Sequence, residues 1–353
     1  MTVPDAVARY APLVYLDGDD AYPPADVDGF LAGSYLAWSP TGREKDLKPV
    51  RDPVDVAKLL NESFTLNKKS YSAAALTRPF GDRAVRPIGL VHAAGFCLAR
   101  RVKHPPFGTP AKFKPVPVYY EYKPGGFITY WFFFEWSTLP LVGALDPDAL
   151  DAEGRDALDE DDRIRNELPV ELWEAFPDLA ETYAEVGAEE ELAEGIPLPD
   201  PVDSAKRFFR WVRERKPPRF PVIHEGDWER ISVRLNDKEK MVQVAYYQHN
   251  GAPELIGAKE AGERPVVYVA KGSHASYPNP HKELSRRKLV KSLEVFGSDI
   301  EWQVEPEQLR DVRQEKWYGF GGAWGRPGID SQQTGPLGPS RFKHPSPFSG
   351  PAG

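Results

Sequence analysis

The sequence predicts a mainly β protein: a β-sandwich core that carries an inserted α-helical segment. The chain has 36 prolines and 29 glycines among 353 residues, and their even spread favours short strands over long helices. The segments between them are rich in β-branched and aromatic residues, which are enriched in strands. The predicted strands lie within residues 10–16, 86–101, 116–136, 229–249 and 265–271.

One strand is predicted to lie at the centre of the sandwich. The segment YWFFFEW (130–136) places apolar side chains on both faces of an extended chain, because side chains alternate with period two. A strand with two apolar faces is typical of a sheet that is covered on both sides. The preceding segment VPVYYEYK leads into the sequence KPGG. KPGG is a turn signal, and it predicts a hairpin between the two strands.

Composition changes sharply between the two halves of the predicted sandwich. Residues 145–219 are acidic, poor in β-branched residues and typical of helices, and they end in the basic stretch DSAKRFFRWVRERKPPR. The arginines and lysines of this basic stretch either pair with the acidic helices or recruit an anionic ligand. The predicted organisation has four parts: a first sandwich part (1–144), a helical insertion or lid (145–219), a second sandwich part with the site motif (220–325), and a Pro/Gly-rich tail (326–353) that wraps over the surface or frays.

Charge and cysteine content narrow the function classes. The net charge of −8 argues against a general nucleic-acid binder. No apolar run approaches the roughly 20 residues that cross a bilayer, and the N-terminus lacks a signal-peptide pattern. Cys97 is the single cysteine, so we expect a buried, unreactive thiol and no internal disulfide. These features predict a cytoplasmic protein without a transmembrane segment, and leave peripheral membrane contact open.

The segment PVIHEGDWERI places four ionisable side chains within six residues: His224, Glu225, Asp227 and Glu229. In a strand, Asp227 and Glu229 share a face with the apolar residues that follow them. Unpaired carboxylates there would carry a desolvation cost of several kcal/mol. Either a divalent cation or Arg and Lys partners must offset that cost, and the spacing alone does not choose between them.

Two more histidines follow predicted strands, His249 in YYQHNG and His274 in KGSHASYP. Strand ends can meet on one rim of a sheet, where sites are commonly built. We therefore predict His224, Asp227, Glu229 and His274 as metal ligands. Asp17, Asp19 and Asp20 lack the spacing of a calcium loop and are interpreted as a turn that could supply one distant extra ligand.

The order of several motifs resembles the vacuolar protein sorting-associated protein 62-like family. The motifs are APLVYLDGDDAYPPADVDGFL, ITYWFFFEW, HEGDWERISVRL, YYQH, KGSHASYP and FGGAWGRPGIDSQQTGPLGP. They run through most of the chain outside residues 145–219. The resemblance implies a shared fold, and the family name reflects a trafficking role suggested in fungi without implying a biochemical activity.

The site alone also resembles the heptapeptide GHRHDWE of necrosis- and ethylene-inducing-peptide-like proteins. In that motif a His, an Asp three residues later and a Glu two after that bind a divalent cation in a β-sandwich. The resemblance places these ligands at His224, Asp227 and Glu229. The chain departs from the motif at Glu225 and Gly226, and we expect it to lack the secretion signal and the cysteines of those proteins.

The predicted function is a divalent-metal-binding protein that binds an anionic small molecule, lipid headgroup or glycan at a metal-ordered rim. Oxygen-rich ligation favours Mg²⁺, Ca²⁺ or Mn²⁺, with Zn²⁺ as the alternative if more histidines bind. One alternative function is a metal-dependent hydrolase, with Glu225, His249 and His274 as candidate catalytic residues. Another is a structural cation, with protein interaction carried by the helical insertion. Whether the protein is an enzyme stays open.

Overall fold

The computed structural model describes residues 2–18, 20–74, 94–102, 112–138, 222–248, 253–280, 296–328 and 334–341. These ranges contain fifteen strands: β1 (Leu13–Leu16), β2 (Ser34–Ser39), β3 (Lys48–Arg51), β4 (Ser63–Leu66), β5 (Lys69–Ser72), β6 (Gly95–Arg100), β7 (Val118–Lys123), β8 (Phe127–Thr138), β9 (Val222–Leu235), β10 (Met241–Tyr246), β11 (Glu254–Gly257), β12 (Val266–Val269), β13 (Ser276–Tyr277), β14 (Ile300–Gln303) and β15 (Leu309–Asp311). The mainly β prediction is confirmed.

The helices of the described ranges are short. They are α1 (Asp5–Arg9), α2 (Val27–Ala32) and α3 (Ala258–Ala261), with 3-10 turns at Glu44–Asp46, Leu59–Asn61, Pro306–Gln308, Val312–Gln314 and Pro339–Arg341. None of these helices has the length and apolar character needed to cross a bilayer. The predicted helical insertion at 145–219 lies outside the described residues.

A six-stranded sheet forms the middle of the fold, in the order β11-β10-β9-β8-β7-β15. Its two longest strands, β8 and β9, are antiparallel, and Phe134 faces Asp227 in their register. Strands β7 and β8 form the predicted hairpin, and Gly125 in its turn has a φ of 62°. Because β8 and β9 are central, the HEGDWE segment lies on an interior strand of the sheet.

Each face of the central sheet packs against another sheet. The first face contributes Tyr130, Phe132 and Phe134 to a core shared with the four-stranded sheet β13-β12-β1-β14. The second contributes Trp131 and Phe133 to a core shared with the three-stranded sheet β3-β2-β6. Strand β8 is therefore buried on both faces, and the prediction made from its two apolar faces is confirmed.

The three-stranded sheet also packs against the C-terminal part of the chain. The C-terminal strap, residues 321–328 and 334–341, reaches β6 through hydrogen bonds from Leu98 N to Ala323 O at 2.9 Å and from Ala323 N to Phe96 O at 3.0 Å. Thr334 is 5% exposed. The described part of the predicted tail thus belongs to the folded core.

Candidate functional site

Gly226 bends strand β9 in the middle of the HEGDWE segment. Its φ is 62°, a left-handed conformation that favours glycine. Asp227 contacts the four-stranded sheet through His274, whereas Glu225 contacts the three-stranded sheet through Arg100. Glu225 and Asp227 are two residues apart, so their side chains would share a face in a regular strand. The bend therefore sends the two carboxylates to opposite faces of the central sheet.

A buried histidine lies between two carboxylates on the first face. His274, in the turn between β12 and β13, is 0% exposed and stacks on the Phe134 ring at 3.9 Å. Its Nδ1 lies 3.0 Å from Asp227 Oδ2, within hydrogen-bond distance. Its Nε2 lies 3.5 Å from Asp20 Oδ2, close enough for an ion pair. Both ring nitrogens thus face carboxylates.

The two aspartates keep His274 charged at neutral pH. Burial lowers the pKa of His274, but the hydrogen bonds and charges of Asp20 and Asp227 outweigh burial and raise this pKa to about 9. Burial raises the pKa of Asp20, but His274 and the backbone N–H groups of Gly272 and Tyr22 outweigh it and lower that pKa. Two carboxylates and one imidazolium leave this buried group with an excess of negative charge.

The charge on His274 makes the stability of the fold depend on pH. Because its folded pKa of about 9 exceeds the ordinary 6.5, the contribution is fully present below pH 6.5 and is lost as pH rises through about 9. We expect the advantage of wild type over His274→Asn in free energy of unfolding to shrink across this window. Asn is the matched replacement because it tolerates the left-handed φ of 59° at this position. Urea unfolding in chelator measures the difference, and a pH-independent advantage would contradict a charged His274.

His224 is held in a defined tautomer. Its Nδ1 lies 2.8 Å from the carbonyl oxygen of Gly226. A carbonyl only accepts hydrogen bonds, so Nδ1 carries the proton and Nε2 is an acceptor in the neutral ring. His224 and Glu229 are half-buried, and Glu229 lies opposite Phe132 in the strand register, on the same face as Asp227.

Glu225 anchors the second face of the bend. Its Oε2 accepts hydrogen bonds from the backbone N–H groups of Arg100 and Arg326, each at 3.1 Å, and its Oε1 forms a close ion pair with Arg326 Nη1. Burial raises the pKa of Glu225 to about 7, although Arg326 and the two N–H groups oppose that rise. Nearby Cys97 is 2% exposed, and burial together with Glu225 raises its thiol pKa, as expected for an unreactive cysteine.

The structure brings some of the predicted site residues together and separates others. Asp227 and His274 are in contact, while Glu225 lies on the other face and His249 lies outside the described residues. In the part of the chain that is described, no three His, Cys, Asp or Glu side chains are gathered as a metal-binding group. The metal site therefore stays a prediction.

Two residues of this region were not assigned a specific role from the sequence. Asp20 was interpreted as part of a turn, with at most a distant role as a ligand, and Arg326 as the start of a surface tail. Asp20 reaches Gly272, 252 positions away, and Arg326 reaches Glu225, 101 positions away. The acidic run at 17–20 was the one local signal that could have pointed to Asp20.

Comparisons with known proteins add no assignment. No protein-family model, curated protein or solved structure matches the chain. The resemblances drawn from the motifs therefore remain predictions, and the function is argued from the residues themselves.

Proposed function

We propose that the protein binds a divalent cation through His224, Asp227 and Glu229, and that the cation holds an anionic ligand at this rim. In this proposal His274, predicted from the sequence as a fourth ligand, instead orients Asp227 together with Asp20, because both of its ring nitrogens face carboxylates. The contact of His224 Nδ1 with Gly226 O is the observation that carries the proposal. The side chains of His224 and Glu229 must still turn toward Asp227 to share one cation.

The hydrogen bonding of His224 and Asp227 supports the proposal. A metal-binding histidine commonly donates its second ring N–H to a carbonyl or carboxylate, which leaves the other nitrogen available to the metal. The contact of His224 Nδ1 with Gly226 O has this arrangement. Metal-binding carboxylates are in turn held by hydrogen bonds, as His274 holds one oxygen of Asp227.

Charge also supports a cation over a neutral ligand. Asp20 and Asp227 are 7% and 6% exposed, and one imidazolium faces both of them. Glu229 lies on the same face of β9 as Asp227. Two carboxylates and one imidazole suit Mg²⁺, Ca²⁺ or Mn²⁺, since oxygen ligands dominate.

Glu229→Gln is the variant that isolates cation binding. It removes a ligand charge while keeping the size of the side chain, whereas Asp227→Asn would also disturb His274. A cation at one hundred times its Kd adds about 2.7 kcal/mol to stability. We expect Mn²⁺ to raise the melting temperature of chelated wild type and to raise that of Glu229→Gln much less.

Glu121→Gln is the matched control for that experiment. Glu121 is also half-buried on the central sheet, but its neighbour Tyr120 packs in the first core, so Glu121 belongs to the second face. We expect Mn²⁺ to stabilise this variant as much as wild type. Equal stabilisation of Glu229→Gln and Glu121→Gln would remove Glu229 from the cation site.

The nature of the anionic ligand can be tested on the Mn²⁺-loaded protein. Inorganic phosphate, vesicles containing phosphatidylserine and neutral phosphatidylcholine vesicles serve as probes. Binding of phosphate and of anionic vesicles, lost on chelation, is the expected result. Binding of neither would leave the cation with a structural role only.

A further inference from the structure

The C-terminal strap lies directly against the bend of β9. A Cβ on Gly226 would come within 2.0 Å of Trp324 O, and a Cβ on Gly325 within 2.3 Å of Glu225 O. A Cβ on Gly335 would come within 2.3 Å of Gly325 N. Three backbone segments therefore meet at a point where no side chain fits. The position of residues 225–226 depends on the strap behind them.

Arg326 is the side chain that joins the strap to β9. Its backbone N–H and its Nη1 both bond Glu225, and its Nη2 donates to the carbonyl of Arg100. Its Nε also lies 3.7 Å from Glu44 Oε1. Arginine suits this place because its planar fork can hold a carboxylate and a carbonyl at once. Glu225 is 5% exposed, so this contact is protected from solvent.

The strap contact acts on the same short stretch that orients His224. Glu225 lies between His224 and Gly226, and the His224 ring is held by Gly226 O. Because Arg326 holds the Glu225 carboxylate, the backbone of residues 225 and 226 is restrained, and the direction of Gly226 O is restrained with it. Arg326 thus influences His224 from the opposite face of the sheet.

We infer that Arg326 is a positioning residue for the cation site, which sets cation affinity through Glu225 and the Gly226 bend without contacting the cation. This inference rests on the proposed function. Loss of residues that orient metal ligands typically lowers metal affinity about 10–100-fold. We expect Arg326→Met to weaken Mn²⁺ binding by about tenfold or more, and Arg326→Lys to restore part of the affinity.

Arg341→Met is the matched control within the strap. Arg341 Nη2 donates to the carbonyl of Gly319 at 3.0 Å and to that of Ala74, so these bonds anchor the strap to parts of the chain other than β9. We expect this variant to bind Mn²⁺ as wild type does. Equal losses of affinity in Arg326→Met and Arg341→Met would reduce Arg326 to general stabilisation and overturn the inference.

A second readout does not depend on the cation. Nitrogen NMR of the histidine rings in the chelated protein reports which nitrogen of His224 carries the proton. We expect the Nδ1–H form in wild type and in Arg341→Met, and a loss of that preference in Arg326→Met. An unchanged tautomer in Arg326→Met would refute the positioning role, as would an unchanged Mn²⁺ affinity.

The two proposals can fail separately. If wild type binds no Mn²⁺, the proposed function fails, and the His224 tautomer alone decides whether Arg326 positions this ring. If wild type binds Mn²⁺ and folded Arg326→Met binds it equally well, only the positioning inference fails. If Arg326→Met does not fold, the double variant Glu225→Gln/Arg326→Met replaces it, because it removes both buried charges. We expect this double variant to show the same loss of Mn²⁺ affinity and of the His224 tautomer preference.

Discussion

Replacing Gly226 with alanine is expected to destabilise the protein by about 2–5 kcal/mol. A left-handed backbone costs an ordinary residue roughly 1–2 kcal/mol, and an overpacked buried site costs about 1–3 kcal/mol more. Both terms apply here, because φ is 62° and the new Cβ would meet a backbone oxygen 2.0 Å away. Urea unfolding in chelator at 25 °C measures the loss.

Gly257→Ala provides the glycine control. Gly257 has a φ of −68°, and a Cβ built on it meets no atom within 4 Å. We expect its free energy of unfolding to change by less than about 1 kcal/mol. If Gly226→Ala lowers the free energy of unfolding no more than Gly257→Ala does, the strap does not pack against β9 as closely as described.

Trp228→Ala is expected to cost about 3–5 kcal/mol, the usual range for removing a buried tryptophan from a core. The side chain is 5% exposed although it lies between the charged residues Asp227 and Glu229. It contacts the rings of Phe133, at 4.8 Å between centroids, and Trp324, at 5.2 Å. It therefore stabilises the second core and packs against the strap.

Trp228→Phe separates packing from the site. It keeps a ring in the second core, so we expect a smaller loss in the free energy of unfolding than for Trp228→Ala. Both variants should bind Mn²⁺ in proportion to their folded fraction, as measured by titration at low temperature. A loss of Mn²⁺ affinity in folded Trp228→Phe would instead make the tryptophan part of the site.

The local pattern predicted the class of the fold and its central strand. Alternation in YWFFFEW was sufficient because both faces of β8 are buried, and the KPGG turn gave the adjoining hairpin. Strand β9 begins at Val222 and so includes the HEGD residues, which precede the strand region predicted from residue 229. The three-stranded sheet was missed in part because β3, at Lys48–Arg51, is mostly exposed and lacks an apolar run.

The partners of the site residues could not be predicted from local spacing. His274 and Asp227 are 47 positions apart, and Arg326 and Glu225 are 101 positions apart. Such contacts depend on how three sheets stack. The left-handed φ of Gly226 also reverses the face of Glu225, so simple alternation assigns Glu225 and Asp227 to one side when they lie on two.

Direct measurement of cation binding by the wild-type protein tests the central claim most directly. The purified protein is stripped with chelator, checked for folding, and titrated with Mn²⁺ in a calorimeter, with Ca²⁺, Mg²⁺ and Zn²⁺ as competitors. We expect one Mn²⁺ per chain, displaced by Ca²⁺ or Mg²⁺ and weakened in Glu229→Gln. A folded wild-type protein that binds none of these four ions would contradict the claim.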